Sequence, residues 1–340
     1  MTKDKVKYIS IDQERSPSYL DTLELTAEIF KDKTHERLYY SALRKDSTIS
    51  KLKGILDVTD RKYHKQYWKA YHCNSTLFQD GTKLIGSLCR KRWCQNCNRI
   101  KTAEMINGYQ RPLQDLEATD IFYLVTLTAP TVEERQLKAE IGKRYQGFKR
   151  VKDRLRKQGI TIQGIRKLEV TFTTEQKYHP HFHLLIQGKE NAELFLKYWL
   201  DEFPTADRKG QDIAPLKANG KDLVEVFKYA VKEFVKDETT AYASHIIFQA
   251  LAGKRVFQSF GKIRKVKEPK EEKTEVEQCT FLKPNLDIWY YQDKQIDYVN
   301  AYGQIAIDTK YITEQIKIKA DESDKRKKRV FNDTRQQETN

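Results

Sequence analysis

The stretch KLEVTFTTEQKYHPHFHLLI, residues 167–186, decides the fold that this sequence predicts. Its two arms, 165–173 and 181–186, alternate apolar and polar side chains with period two, which is typical of β-strands. The polar residues between them indicate a turn centred near Glu175 and Gln176. The pattern therefore predicts a β-hairpin.

One face of this hairpin carries groups that can bind a metal ion. Alternate residues of a strand share a face, so His179, His181 and His183 point together, away from the apolar side. The predicted turn places Glu169 across from His183 on that face. Two imidazoles and a carboxylate, from His181, His183 and Glu169, suit Mn²⁺ or Mg²⁺ and leave positions open for phosphate oxygens. The alternative is a set of surface histidines that bind no ion.

The segment KDLVEVFKYAVKEFVK, residues 221–236, has helical periodicity and a second reactive face. Glu225, Tyr229 and Lys232 recur at steps of three and four, which makes them neighbours on one side of a helix. A phenol has a pKa of about 10, and Lys232 could lower the pKa of Tyr229 enough for attack on phosphorus. Glu225 could later act as a base for water. The alternative is a packing tyrosine, one of nineteen in the chain. The expected core stripe contains Leu223, Val224, Phe227, Ala230, Val231, Phe234 and Val235.

The net charge of +15 is concentrated around four of the five cysteines. Residues 61–111 contain eleven Lys/Arg against two Asp/Glu, which favours a polyanionic partner over a merely soluble surface. Clustered cysteines with C-x₂-C spacing predict a zinc site, with His72 as a competing ligand; the alternative is structural thiols without metal. Cys279 lies far from the cluster and is not expected to bind. The predicted zinc ligands are Cys73, Cys89, Cys94 and Cys97. The predicted DNA contacts around them are Arg90, Lys91, Arg92, Trp93, Arg99 and Lys101.

The remaining chain supplies further elements. Residues 121–128 predict a buried strand, and 132–158 and 191–202 predict helices. Leu23, Leu25, Ile29 and Phe30 suggest a helix near the N-terminus. No apolar run approaches the about 20 residues of a membrane span, and the first residues lack the apolar stretch of a signal peptide. We therefore expect a cytoplasmic protein with no membrane partner.

Three motifs in order resemble the rolling-circle plasmid replication initiators of the histidine–hydrophobe–histidine endonuclease superfamily. They are FYLVTLTAP at 122–130, HPHFHLL at 179–185 and EVFKYAVK at 225–232, and CRKRWCQNCNRIK at 89–101 looks like the cysteine-rich stretch of the branch on small plasmids of Gram-positive bacteria. The resemblance spans roughly residues 70–265.

The resemblance implies a fold and a mechanism. The fold is α+β, with a central antiparallel sheet that carries the histidine hairpin, flanking helices and a Cys-rich insertion. Tyr229 would nick origin DNA, leaving a 5′-phosphotyrosine and a free 3′-hydroxyl, and Glu225 would activate water in termination. The partners would be double- and single-stranded origin DNA and the host helicase and polymerase. The expected domains are a polar, helical region at 1–60, a basic Cys-rich segment at 61–113, the endonuclease domain at 114–265 and a charged C-terminal region at 266–340.

Other functions remain open at this point. A histidine-triad nucleotide hydrolase would use His179, His181 and His183 without metal, and would leave Glu225 and Tyr229 without a role. A zinc-dependent DNA-binding regulator would explain the charge and the cysteines alone. A transposase or relaxase would share the chemistry. A requirement for metal would distinguish the nicking enzyme from the metal-independent hydrolase. A covalent DNA adduct would distinguish it from the regulator, which forms none.

Overall fold

The computed structural model describes residues 29–216, 220–227, 235–266 and 287–322. The chain divides into two compact units, one with residues 1–50, 71–89 and 274–340, the other with 51–70 and 90–273. The helices are α1 (Lys33–Asp57), α2 (Arg61–Tyr71), α3 (Gln95–Glu117), α4 (Glu134–Lys157), α5 (Lys189–Glu202), α6 (Gly220–Phe227) and α7 (Glu238–Ala250). The strands are β1 (Thr76–Asp80), β2 (Lys83–Gly86), β3 (Phe122–Leu127), β4 (Gly164–Phe172), β5 (Tyr178–Gln187), β6 (Asp212–Leu216), β7 (Phe257–Phe260), β8 (Asp287–Gln292) and β9 (Asp297–Asn300). A further helix covers 309–322.

The larger unit is built on a five-stranded antiparallel sheet in the order β6-β3-β5-β4-β7. Successive strand residues point to opposite faces, so each face has its own core. One face packs against α4, α5 and α7 and buries Val125, Leu168, Phe182 and Leu184. The other packs against α3 and α6; its core consists of Met105, Tyr109, Leu113, Phe122, Ile165, Leu185, Leu216, Leu223, Val226, Phe227 and Ile263.

The hairpin of β4 and β5 lies at the centre of this sheet. Residues 173–177 connect the strands, with a hydrogen bond from the Thr173 amide to the Lys177 carbonyl at 2.8 Å. Glu169 pairs with His181, so the prediction that it lies across from His183 is wrong. The turn centres on Glu175, one residue earlier than 176, and this shift moves every pair by two positions. A shift of two preserves the face of each side chain.

The smaller unit contains a second antiparallel sheet, in the order β2-β1-β8-β9. It packs against α1 through a core that includes Leu38, Ala42, Leu77 and Tyr298. The sequence did not reveal this sheet, because its two hairpins are separated by about 200 residues of chain.

The predicted architecture of antiparallel sheet flanked by helices is confirmed, and two predictions about individual helices need correction. The described part of the N-terminal helix begins at Lys33, where the Asp32 carboxylate accepts the Thr34 and His35 amides at 2.7 and 2.8 Å, so Ile29 and Phe30 precede the helix. In α6, Val226 is buried and Val224 is 41% exposed, the reverse of the prediction. Positions 223, 226 and 227 satisfy helical spacing, and 224 is turned away. Among the described residues, no helix is both long and apolar enough to cross a membrane.

Candidate functional site

Glu169, His181 and His183 converge on the sheet face that packs against α3 and α6. Each offers a ligand atom, and these atoms lie within 4.8 Å of one another. Glu169 and His181 are directly paired across the β4–β5 ladder, and the Glu169 carboxylate Oε2 reaches His183 Nε2 diagonally at 3.5 Å. A group of two imidazoles and one carboxylate at this spacing could hold a divalent cation.

Hydrogen bonds orient both imidazoles, one within β5 and one from the neighbouring strand β3. His181 Nδ1 lies 3.1 Å from the His179 carbonyl, which can only accept, so Nδ1 carries the proton and Nε2 is left as the ligand atom. His183 Nδ1 lies 3.2 Å from the Thr126 hydroxyl on β3. Burial lowers the pKa of His181 to about 4, so this ring is neutral near pH 7, as metal binding requires.

His179 stands beside this group but outside it. Its ring centroid is 5.2 Å from that of His181, and burial lowers its pKa to about 4. The group that could bind metal contains Glu169, His181 and His183 without it.

Lys167 adds a buried cation to the same face. Its Nζ is 3.1 Å from the Glu169 Oε2, and the two side chains are 6% and 4% exposed. Lys167 pairs with His183 across the ladder, so the ammonium, the carboxylate and both imidazoles occupy four adjoining positions of two strands.

Helix α6 packs on this face. Phe227, at its end, stacks on Tyr109 at 5.5 Å and lies 6.1 Å from the ring of Phe257, whose partner on β4 is Lys167. The Thr102 hydroxyl donates to the Phe227 carbonyl at 3.2 Å. Tyr229 and Lys232 lie outside the described residues, and of Glu225 only the backbone, within α6, is described.

The four clustered cysteines could hold a second metal ion. The sulfur atoms of Cys73, Cys89, Cys94 and Cys97 lie within 4.8 Å of one another, and His72 is exposed and outside the group. The amides of Cys89 and Arg90 donate to the sulfurs of Cys73 and Cys97 at 3.4 and 3.2 Å. Such N–H···S bonds favour the thiolate form that binds metal. Cys279 lies outside the described residues.

The basic residues around these cysteines divide into two kinds. Arg92 donates to the Leu251 and Lys254 carbonyls at 2.7 and 2.6 Å. Trp93 is 8% exposed and packs between the rings of Tyr67 and Phe248. This geometry gives Arg92 and Trp93 a structural role. Arg90, Arg99 and Lys101 are exposed and Lys91 is half-buried, and DNA contact by these four stays a prediction.

Comparison with known proteins agrees with this geometry. Residues 83–197 match the family model described as a replication protein, a range that contains Glu169, His181 and His183. This part of the chain is similar to the Rep family of replication proteins. It is 28% identical over 191 residues to "Protein rep" of Staphylococcus aureus, covering 52% of this chain and 76% of the relative. It is 26% identical over 210 residues to "Protein rep" of Streptococcus pneumoniae serotype 2, covering 54% of this chain and 65% of that relative. No solved structure matches.

The resemblance to the rolling-circle initiators is thereby confirmed at the level of the family. Sequence reasoning gave no role to two polar residues next to the candidate metal group, Thr126 and Lys167. Lys167 lies two residues before Glu169 and therefore on the same face of β4, and this spacing could have indicated that the lysine is close to the metal group. For Thr126 the sequence held no such signal, because β3 meets β5 only in the tertiary structure.

Proposed function

We propose that this protein initiates rolling-circle replication of a plasmid by nicking one strand of its origin. The observation that carries the proposal is the convergence of Glu169, His181 and His183 on one sheet face, within the stretch that matches the replication proteins. The family supplies the biological role, and the donor set supplies a site for a divalent cation.

The donor set fits the cation that this chemistry needs. Two imidazoles and a carboxylate within 4.8 Å suit Mn²⁺ or Mg²⁺ and provide only three ligands, which leaves room for phosphate oxygens. A bound divalent cation would withdraw charge from the scissile phosphate. The zinc ion proposed for the cysteine cluster would be structural, because four thiolates complete a tetrahedron.

Tyr229 is the proposed nucleophile. It follows Phe227, the end of α6, by two residues, a distance of at most about 7 Å along the chain. The Phe227 ring lies 6.1 Å from that of Phe257, which pairs with Lys167 on β4, two residues from Glu169. The phenolic oxygen attacks phosphorus and loses its proton, and the bond from phosphorus to the 3′ oxygen breaks. The departing oxygen takes a proton, which yields a 5′-phosphotyrosine and a 3′-hydroxyl that a polymerase can extend. Lys232, three residues after Tyr229, would stabilise the phenolate.

Tyr229→Phe tests the nucleophile. The variant should keep its fold, Mn²⁺ binding and DNA binding, but lose both the nick in a supercoiled origin plasmid and the covalent adduct that survives denaturation. The assay maps the nick on each strand and follows the adduct by gel. Tyr242→Phe, which changes an exposed tyrosine on α7, is the matched control and should nick normally. Nicking by Tyr229→Phe at the normal rate would exclude Tyr229.

Glu225→Gln separates initiation from termination. Termination needs a second cut, for which water is the simplest nucleophile and Glu225, four residues before Tyr229, is the proposed base. The variant should nick and form the adduct, but fail to release monomeric circles, so that over-long products accumulate. Glu225→Tyr should restore a second cut and trap the protein on DNA. If Glu225→Gln loses the first nick as completely as Tyr229→Phe does, both residues act in one step.

A transposase or relaxase is the alternative with the same chemistry. The replication-protein match favours initiation. DNA synthesis from the mapped nick, with the host helicase and polymerase added, distinguishes the two, because a transposase would join strands without primer extension.

A further inference from the structure

Lys167 is a buried cation whose ion-pair partner in the described residues is the carboxylate of the candidate metal group. Its Nζ lies 3.1 Å from Glu169 Oε2, the same oxygen that approaches His183 Nε2 at 3.5 Å. The lysine side chain is 6% exposed. A buried ammonium requires a compensating negative charge, and Glu169 provides it here.

A divalent cation would change the charge balance of this face. Without metal, the charges of Lys167 and Glu169 neutralise one another. A divalent ion held by Glu169, His181 and His183 would leave a net charge of +1 on the metal group, and of +2 when the buried Lys167 ammonium is included. Such an excess is unfavourable in a site of low polarity unless an anion enters with the metal. A phosphodiester brings one negative charge, and the attacking phenolate brings a second.

We propose that Lys167 competes with the divalent cation for Glu169, and that its ammonium transfers to a DNA phosphate when the metal binds. The site thus binds metal weakly alone and tightly together with DNA. The proposal rests on the divalent-metal assignment in the proposed function, and its first test requires neither DNA nor cleavage.

The first test is a calorimetric titration of the protein with Mn²⁺ in the absence of DNA. Lys167→Gln removes the charge and keeps a donor for the Glu169 carboxylate. It should bind Mn²⁺ about tenfold or more tightly than the unmodified protein, because a cation next to the metal is gone. Lys167→Arg, which retains the charge, should bind as the unmodified protein does. Lys157→Gln, an exposed change at the end of α4 with the same loss of charge, should also leave the affinity unchanged.

The second test measures the coupling between metal and DNA. Mn²⁺ is titrated into the Tyr229→Phe protein with and without a single-stranded oligonucleotide that spans the mapped nick. The oligonucleotide should tighten Mn²⁺ binding, and by linkage Mn²⁺ should tighten oligonucleotide binding by the same factor. In the double variant Tyr229→Phe/Lys167→Gln, the oligonucleotide should increase the Mn²⁺ affinity by a smaller factor, because no ammonium occupies the metal-free site.

The two tests fail separately. Unchanged or weaker Mn²⁺ affinity in Lys167→Gln overturns the competition, and an undiminished DNA gain overturns the transfer to phosphate. If the variant is too unstable for calorimetry, the rise in unfolding temperature on adding Mn²⁺ reports the same difference in affinity. A protein that binds Mn²⁺ as expected but never nicks DNA would contradict the proposed function and leave the competition standing.

Discussion

At the scale of single residues, the candidate metal site is defined by what holds its ligands in place. His183 is oriented by the Thr126 hydroxyl, 3.2 Å from its Nδ1, and His181 by a backbone carbonyl. A side chain can be removed and a carbonyl cannot, so Thr126 is the partner that mutation can test. Residues that orient a metal-binding histidine commonly contribute about 10–100-fold in affinity.

Thr126→Val should therefore weaken Mn²⁺ binding by roughly 10–100-fold, because the His183 ring loses its partner while the strand keeps a β-branched residue. Thr126→Ser retains the hydroxyl and should bind nearly normally. Calorimetry with Mn²⁺ measures both, and circular dichroism verifies the fold. The expected change is opposite in sign to that of Lys167→Gln, so a general loss of structure could not produce both results. Normal affinity in Thr126→Val would show that the hydroxyl does not orient the ligand.

At the scale of elements, the β4–β5 hairpin depends on close approach of its strands at Gly164. A Cβ added to Gly164 would lie 2.1 Å from the Leu185 carbonyl oxygen, within the ladder that sets the register of Glu169 against His181. A backbone atom cannot move aside as a flexible side chain can. The glycine is thus required by packing between strands.

Gly164→Ala should lower the free energy of unfolding by more than about 2 kcal/mol, since the ladder must shift to accept the methyl group. Gly142→Ala is the matched control: Gly142 lies within α4 and its added Cβ would meet nothing within 4 Å. It should raise stability by about 0.5–1 kcal/mol, because alanine loses less backbone entropy than glycine in a helix. Urea unfolding measures both. Equal effects of the two substitutions would contradict the contact at Gly164.

At the scale of the whole molecule, two groups of metal ligands with different donor sets occur in one chain. Glu169, His181 and His183 form a site with nitrogen and oxygen donors, and the cysteine cluster offers four sulfurs. Soft thiolates select zinc, whereas the mixed group suits a harder, exchangeable cation. The two sites should therefore respond differently to metal removal.

Purified protein should contain about one tightly bound zinc per chain, held through gentle chelation that removes Mn²⁺. Cys97→Ser should lose this zinc and lower the unfolding temperature, because metal binding contributes directly to folding. Cys279→Ser should keep it, since Cys279 lies far in sequence from the cluster. Elemental analysis gives the metal content, and scanning calorimetry the unfolding temperature. Protein without zinc whose four clustered thiols titrate readily would rule out the site.

The sequence by itself determined the elements whose periodicity is local. Alternation over 167–186 predicted the hairpin and placed the two histidines and Glu169 on one face. An apolar run predicted β3, a charged stretch predicted α4, and helical periodicity predicted α5. The face on which a strand side chain lies depends only on whether its position is odd or even. The shift of two residues in register therefore left every side chain on its predicted face. The C-x₂-C spacing likewise predicted the sulfur cluster, because its ligands are close in sequence.

Only the tertiary structure decided what depends on contacts between distant segments. It set the register of Glu169 against His181, the approach of Thr126 to His183 and the packing of α6 on the metal-ligand face. It also paired β1 with β8 across about 200 residues. Such contacts form because buried surfaces from separate parts of the chain fit together, and no periodicity within one segment records that fit.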